Sequence, residues 1–313
     1  MNQLAIIDIG TNSVLLLLSV NREGKLIPVL ERAEITRLGA NFGKEQKLDA
    51  TAMRRTLKAV KKFSQLARES GAEPLAFGTE ILRIAANSAN FLREAEGETG
   101  LQIQVLSGDQ EAELTYMGAV DTLQGAADRV AVIDIGGGST EIALGNGDRP
   151  DFVHSFPLGA VKLMEKFNLN DPPLPAEIDE MEQFIQNFWK NKPEFSPQAR
   201  FIGVGGTLTT LATLSLRLPQ YDFNAVDGLT LTRRQIEKQL DGFLSRTLEQ
   251  RKAMVGMEPA RADIIIPATL ILKSFMGWIG FKEITVSARG VRFGFLKAIL
   301  QERGMKPPSV MPA

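Results

Sequence analysis

The sequence predicts an α/β fold built twice, and three observations carry that expectation. Two apolar runs, Leu4–Asp8 and Val130–Ile135, meet the same tetrapeptide, Ile-Asp-Ile-Gly, at Ile7–Gly10 and Ile133–Gly136. Each run is followed by a small polar turn and two more strand-like runs. Segments of helical spacing then alternate with short apolar runs, the order of an α/β protein. With 313 residues, 44% of them hydrophobic, the chain has material for two cores. Two copies are too few for a periodic array, so a duplicated fold of two lobes with a cleft between them is expected. The expected domains are residues 1–124 and 125–291, with a C-terminal helix at about 292–313 placed to pack back on the first.

Taken in order, Leu4–Asp8 and Val14–Val20 read as a buried hairpin, and Lys25–Glu31 as a third strand after the turn Asn21–Gly24. Asp49–Ser70 switches to helical spacing, with Met53, Leu57, Val60, Phe63 and Ala67 on one face and Gly71 as its stop. "PLAFGT" is a strand, "EILRIAANSANFLREAEGETG" one or two helices, "LQIQVLSG" a strand and "QEAELTYMGAVDTL" a helix. The second half repeats three strands at Val130–Ile135, Thr140–Gly145 and Phe152–Pro157, and "GAVKLMEKF" begins a helix. Pro175–Lys190 is helical, and "ARFIGVGGTLTTLATLSLRL" is a strand, a glycine turn and a helix. Thr232 and Gln235 form a capping box. "RADIIIPATLILKSFMGWIG" is a largely buried helix, "KEITVSARG" a strand and "VRFGFLKAILQERG" a last helix before a tail expected to fray.

Composition excludes several functions. With 36 basic and 37 acidic residues the net charge is −1, which argues against coating nucleic acid or an anionic membrane, although a local basic cleft is compatible with that total. Cysteine is absent, so there is no disulfide framework, thiolate zinc site or cysteine nucleophile. The lone histidine, His154, cannot form a histidine metal cluster. Asp8 interrupts the first apolar run early, no basic region precedes it, and no uncharged stretch approaches the roughly 20 residues needed to span a bilayer. A soluble cytoplasmic protein is expected, with neither nucleic acid nor membrane as partner.

The chemistry sits in three loops. Asp134 lies at the C-terminal end of a buried strand, where its carboxylate is held rigidly. Gly136, Gly137 and Gly138 lack the Cβ atoms that would keep a ligand off the backbone, so successive N–H groups can converge on an anion. Ser139 and Thr140 add hydroxyls. Asp8 with Gly10, Thr11, Asn12 and Ser13 offers the same chemistry with fewer glycines, and Gly203–Leu208 is a third such loop opening a helix. None has the spacing of a P-loop or a dinucleotide fingerprint, so the phosphate reading rests on the architecture.

These residues resemble the exopolyphosphatase and guanosine pentaphosphate phosphatase (Ppx/GppA) family of the actin-like ATPase superfamily. "DIGTNSV" is similar to the family's first phosphate loop and "VIDIGGGSTEIAL" to its second. "ITRLGANFGKEQKLDATAMRRTLKAVKKF", "GTEILRIAANSANFL", "LSGDQEAELTYMGA", "FPLGAVKLMEKF", "GVGGTLTTLA", "RADIIIPATLIL" and "TVSARGVRFGF" continue the likeness over residues 4–300. The resemblance implies two ribonuclease H-like domains and the short, two-domain form of the family. It implies an Mg²⁺-dependent phosphoanhydride hydrolase, acting on inorganic polyphosphate, guanosine pentaphosphate or both, and a homodimer. It further implies Glu111 as the carboxylate that activates water, Arg83 as the cation on the transferred phosphoryl group, and Asp134, Glu141 and Asp8 as acids associated with Mg²⁺. Thr11, Asn12, Ser13, Gly136, Gly137, Gly138 and Ser139 would hold phosphates, and Gly205, Gly206 and Thr207 a nucleotide or a more distal phosphate.

Three positions depart from the family pattern: Leu15 stands where a basic residue is usual, Phe293 for a glutamate, and Asp227 for a histidine. Two alternatives remain at this stage. An actin-like sugar or acid kinase shares both phosphate loops, and an idle sensor of guanosine tetraphosphate or polyphosphate would share the whole site. The clusters "RRTLKAVKK" and "LTRRQIEK" offer cations for a long polyanion, or are simply solvated helix faces.

Overall fold

The computed structural model describes residues 3–22, 25–43, 45–123, 129–189 and 199–304. The chain divides into two compact units, Met1–Leu114 with Val291–Ala313, and Thr115–Gly290.

The first unit opens with β1 (Gln3–Ile9), β2 (Ser13–Arg22) and β3 (Lys25–Ile35). It continues with α1 (Ala50–Glu69), β4 (Glu73–Gly78), α2 (Glu80–Ile84), α3 (Ser88–Thr99), β5 (Ile103–Val105) and α4 (Gly108–Ala119). The sheet order is β3-β2-β1-β4-β5. β1 to β3 are antiparallel neighbours, and β4 and β5 are added parallel to β1. Asp49 caps α1 as the spacing requires, its carboxylate accepting from the amides of Thr51 and Ala52 at 2.9 Å each. The 80–100 region forms two helices, because Ala85 is extended after α2.

The second unit contains β6 (Val130–Ile135), β7 (Thr140–Asn146), β8 (Arg149–Phe156), α5 (Ala160–Phe167), α6 (Pro175–Gln186), β9 (Arg200–Val204) and α7 (Gly205–Ser215). It goes on through α8 (Phe223–Val226), β10 (Thr230–Thr232), α9 (Arg233–Leu244), α10 (Leu248–Lys252), α11 (Ile265–Ile279) and β11 (Glu283–Val286). Its sheet order is β10-β11-β9-β6-β7-β8. Read from β8, the first five strands repeat the first unit: an antiparallel meander, then two strands parallel to the central one. Both units are therefore ribonuclease H-like, the fold class expected from the sequence. β10 is an addition the sequence reading did not give. It has three residues, and Thr232 ends it while also capping α9 through the expected box with Gln235. Lys190 and the tail lie outside the described residues.

The chain returns to the first unit as α12 (Val291–Glu302). This explains why β1 is apolar on both faces. Ala5, Ile7 and Ile9 pack with Leu57, Val60 and Phe63 of α1, whereas Leu4 and Ile6 pack with Val291, Phe295 and Leu296 of α12. Gly294 lets α12 touch backbone, since a Cβ there would lie 1.7 Å from the Leu114 carbonyl oxygen. The unit boundary falls inside α4 rather than after it. The helix's C-terminal part presents Tyr116 and Ala119 to Val130, Val132, Ile202 and Val204 of the second sheet.

Tyr116 is fully buried and donates its hydroxyl to the Gly147 carbonyl at 3.2 Å. Burial, with smaller contributions from Asp151 and Asp148, pushes its phenol up to about 12. An unfolded tyrosine ionises near pH 10. The folded-state preference for the neutral phenol thus stabilises the protein fully below pH ~10 and is lost as pH rises towards 12. Urea unfolding across that window should show a falling midpoint in the wild type and a shallower fall in Tyr116→Phe.

Candidate active site

Both hairpin turns close with the same bond. The Gly10 amide donates to the Ser13 carbonyl at 2.9 Å, and the Gly136 amide to the Ser139 carbonyl at 2.9 Å. In the first unit the segment Thr36–Gly39 is sewn onto the turn. Thr36 and Arg37 both donate to the Asn12 carbonyl, at 3.0 and 2.8 Å, and Gly39 to the Thr11 carbonyl at 2.9 Å. Gly39 is forced, because a Cβ there would lie 2.4 Å from Thr11 Cγ2. In the second unit Ala160 and Val161 donate to the Gly136 and Gly137 carbonyls, at 3.0 and 2.9 Å. Gly159 allows that approach, since its Cβ would fall 2.3 Å from the Gly137 oxygen.

Several of the turns' carbonyls are thus engaged, whereas beyond Gly10 and Gly136 their amides find no backbone acceptor: among the described residues no backbone carbonyl takes up the amides of Thr11, Asn12, Gly137 or Gly138. Asn12 is buried, and its Nδ2 has no hydrogen-bond partner. Buried donors are rarely left so, and concave sets of N–H groups are anion sites.

Asp8, Arg83 and Glu111 lie along the sheet edge at which β1, β4 and β5 end. Asp8 is buried at the end of β1. Ser107 and Gln110 set the start of α4 reciprocally. The Ser107 amide donates to Gln110 Oε1 at 2.9 Å, and the Gln110 amide to Ser107 Oγ at 3.1 Å. Glu111 follows in the first turn, only 9% exposed. One oxygen of its carboxylate lies 3.7 Å from Arg83 Nη1, which also donates to the Leu106 carbonyl. The carbonyl fixes the guanidinium, and the ion pair holds the carboxylate near it without a tight hydrogen bond.

In the second unit the register puts Asp134 opposite Glu141 and Glu141 opposite Ser155, one row on one face of the sheet. Ser155 Oγ donates to Glu141 Oε1 at 2.7 Å. Glu141 is 2% exposed. Paired carboxylates fit an ion such as Mg²⁺, which takes one or two of them and completes its shell with water and phosphate oxygens. Among the described residues no group of three or more His, Asp or Glu side chains gathers to hold an ion unaided.

In the third loop the glycines also accommodate neighbouring side chains. Gly205 has φ +85°, and a Cβ on it would lie 2.4 Å from Asp134 Oδ1. A Cβ on Gly206 would lie 2.0 Å from Arg261 Nη1. Both glycines therefore make room for protein side chains. Burial pushes the Arg261 guanidinium below the ordinary arginine value, and the negative charges of Glu258 and Asp134 oppose that shift. Thr207 turns its hydroxyl to the Ile135 carbonyl at 3.4 Å.

The structure thus gathers Asp8, Thr11, Asn12, Ser13, Arg83 and Glu111 in the first unit, at the ends of β1, β4 and β5. Asp134, Gly136–Ser139, Glu141 and Gly205–Thr207 gather in the second, at the ends of β6 and β9. Sequence reasoning missed Ser155 and Arg261. Placing the β7–β8 turn would have revealed Ser155 by register, whereas Arg261 had no signal beyond a charge before an apolar helix. The departures also gain meaning. Leu15 pairs with Asp8 as Glu141 pairs with Asp134. Phe293 is a buried core residue. Asp227 accepts from Thr122 Oγ1, the Ala288 amide and Arg289 Nε at 3.0–3.1 Å. The basic clusters are largely engaged within the protein: Arg55 with the Thr36 carbonyl, Lys61 with Glu98, Lys62 with Glu34 and Arg233 with Glu237. Among the described residues no helix is long and apolar enough to cross a membrane.

Gly205→Ala should lower stability by about 1–3 kcal/mol, from overpacking against Asp134 and the positive φ. Thermal unfolding checks this, and an unchanged midpoint would mean the loop relaxes freely.

The chain is similar to known proteins over most of its length. The model of the Ppx/GppA phosphatase family matches residues 18–303. The chain is 31% identical over 296 residues to a bifunctional 3-dehydroquinate synthase/phosphatase of Fusobacterium nucleatum, covering 90% of this chain and 44% of that protein, under half its length. It is 27% identical over 306 residues to exopolyphosphatase 1 of Mycobacterium tuberculosis, covering 94% and 87%. The crystal structure of an Aquifex aeolicus member of the Ppx/GppA family superposes with a TM-score of 0.81 at 33% identity, covering 96% and 98% of the two chains.

Proposed function

The chain belongs to the Ppx/GppA phosphatase family, and from that premise we propose that it releases terminal orthophosphate from inorganic polyphosphate, from guanosine pentaphosphate, or from both. The observation that carries this reading is the pair of identically closed turns in which the amides of Thr11, Asn12, Gly137 and Gly138 have no backbone acceptor among the described residues. One lies at the sheet edge that also carries Glu111 and Arg83, the other at the edge that carries Asp134 and Glu141. The likeness to a mycobacterial exopolyphosphatase supports the substrate class.

In this reading Thr11, Asn12, Ser13 and Gly136–Ser139 hold phosphate oxygens through amides and hydroxyls. Glu111 takes a proton from a water as its oxygen attacks the terminal phosphorus. The bridging P–O bond breaks, and the shortened phosphate leaves with the bond's electrons. Arg83 neutralises charge on the transferred group. In the second unit Asp134 and Glu141 would hold Mg²⁺, whose chemistry is to neutralise phosphate charge and fix the oxygens it binds, and Asp8 is the acid at the corresponding position of the first unit. Ser155 keeps Glu141 in one orientation.

Orthophosphate release with Mg²⁺ is the test, on long-chain polyphosphate, short polyphosphate and guanosine pentaphosphate. Wild type should release it, and Glu111→Gln should be slower by at least about a hundredfold with binding retained. The ratio among substrates names the preferred one. Binding without release by wild type would instead indicate a sensor.

A further inference from the structure

Each unit carries two turns at the C-terminal edge of its sheet, and only three of the four were identified from glycines or hydroxyl clusters. Register identifies the fourth. In the second unit Asp134 pairs with Val204, so Gly205 and Gly206 follow beside Ile135 and Gly136. In the first unit Asp8 pairs with Phe77 and Ile9 with Gly78. Gly78-Thr79 is therefore the counterpart of Gly205-Gly206, and Thr79 stands where Gly206 stands.

We propose that Thr79 is a substrate-contacting residue, its hydroxyl donating to an oxygen of a phosphate chain held at Gly10–Asn12. This rests on the hydrolase reading above and extends it by one binding group. Three observations support it. The Thr79 amide donates to the Ile9 carbonyl at 3.2 Å, which ties the residue to the root of the first turn. Its Oγ1 lies 3.9 Å from the position a Cβ on Gly10 would take, so the hydroxyl borders that turn. Thr79 also occupies the N-cap of α2, where a threonine ordinarily accepts from the helix's first amides, yet it makes no side-chain cap bond. The residue is only 7% exposed. A nearly buried hydroxyl that makes no cap bond, at the root of a turn whose Asn12 Nδ2 has no hydrogen-bond partner, is suited to donate to a tetrahedral oxyanion held there. In the other unit the same position is glycine because Arg261 fills the space. The two units thus solve one problem with a hydroxyl and with a guanidinium.

A purely structural role is distinguishable, because the hydroxyl and the methyl can be removed separately. Isothermal titration of inorganic tripolyphosphate in Mg²⁺ buffer into full-length protein, all in a Glu111→Gln background that suppresses turnover, reads binding for wild-type Thr79, Thr79→Val and Thr79→Ser. A lost hydrogen bond to a charged oxygen should weaken binding in Thr79→Val by about tenfold or more, with the unfolding midpoint retained. Thr79→Ser, which keeps the donor, should stay within about twofold. The reverse order, with Val like wild type and Ser impaired, would assign Thr79 to packing and overturn the proposal. So would equal affinity in all three, or no binding by wild type. Orthophosphate release by wild type is scored separately, so failure of the hydrolase reading is not confused with failure of this one.

Discussion

Everything at the candidate site depends on how the central strand of each unit is flanked. β1 pairs antiparallel with β2 on one side and parallel with β4 on the other, and β6 does the same with β7 and β9. An antiparallel neighbour can be reached by a tight turn, whereas a parallel neighbour needs a crossover and leaves its own edge through a helix. Both connections therefore open at the same end of the sheet. A hairpin turn and a strand-to-helix turn lie side by side, and the last residues of the central strand, Asp8 and Asp134, stand between them. The backbone donors of one turn and the side chains of the other are placed by hydrogen-bond register, which a one-residue slip would destroy.

The duplication keeps this frame and changes what it carries. Across β1, β2 and β3 the row reads Asp8, Leu15, Ala33, whereas across β6, β7 and β8 it reads Asp134, Glu141, Ser155. The acid pair with its orienting hydroxyl exists in the second copy alone. The first copy instead brings Glu111, through the connection β5–α4, next to Arg83. Equivalent frames thus hold unequal chemistry: a carboxylate with a nearby cation in one unit, and two carboxylates in register in the other.

Local chemistry was legible in the sequence, and long-range packing was not. Asp49, Gly71 and the Thr232–Gln235 box act within one turn of helix, so the α1 and α9 boundaries could be read from neighbouring residues. The two Ile-Asp-Ile-Gly loops were legible because glycines and hydroxyls beside a strand-ending aspartate are local features. Ser155, Arg261 and Thr79 are not local in this sense. Ser155 acts through a strand pairing, Arg261 reaches Gly206 from a distant segment, and Thr79 sits in a turn with a single glycine. That Gly205 and Gly206 make space for Asp134 and Arg261 also depends on the folded chain. The unit boundary inside α4 likewise reflects which sheet Tyr116 packs on, and nothing in the helix's own sequence encodes that.

The charges of the site residues give a last constraint on the proposed reaction. In the first unit Glu111 is set against Arg83, and in the second the charge of Asp134 acts on Arg261. With Asp8 and Glu141, each unit thus carries two acids and one guanidinium at its candidate site, whereas the proposed substrate is itself a polyanion. Amides and hydroxyls bind phosphate oxygens but do not neutralise them, and like charges at short range in a partly buried site repel strongly. A carboxylate as buried as Glu141, oriented by Ser155, has a use beside a polyanion only if a cation lies between them. The acids whose charge opposes phosphate binding are therefore, in this reading, what makes it dependent on a divalent ion. The guanidinium groups, held by the Leu106 carbonyl in one unit and packed over Gly206 in the other, provide fixed positive charge in each.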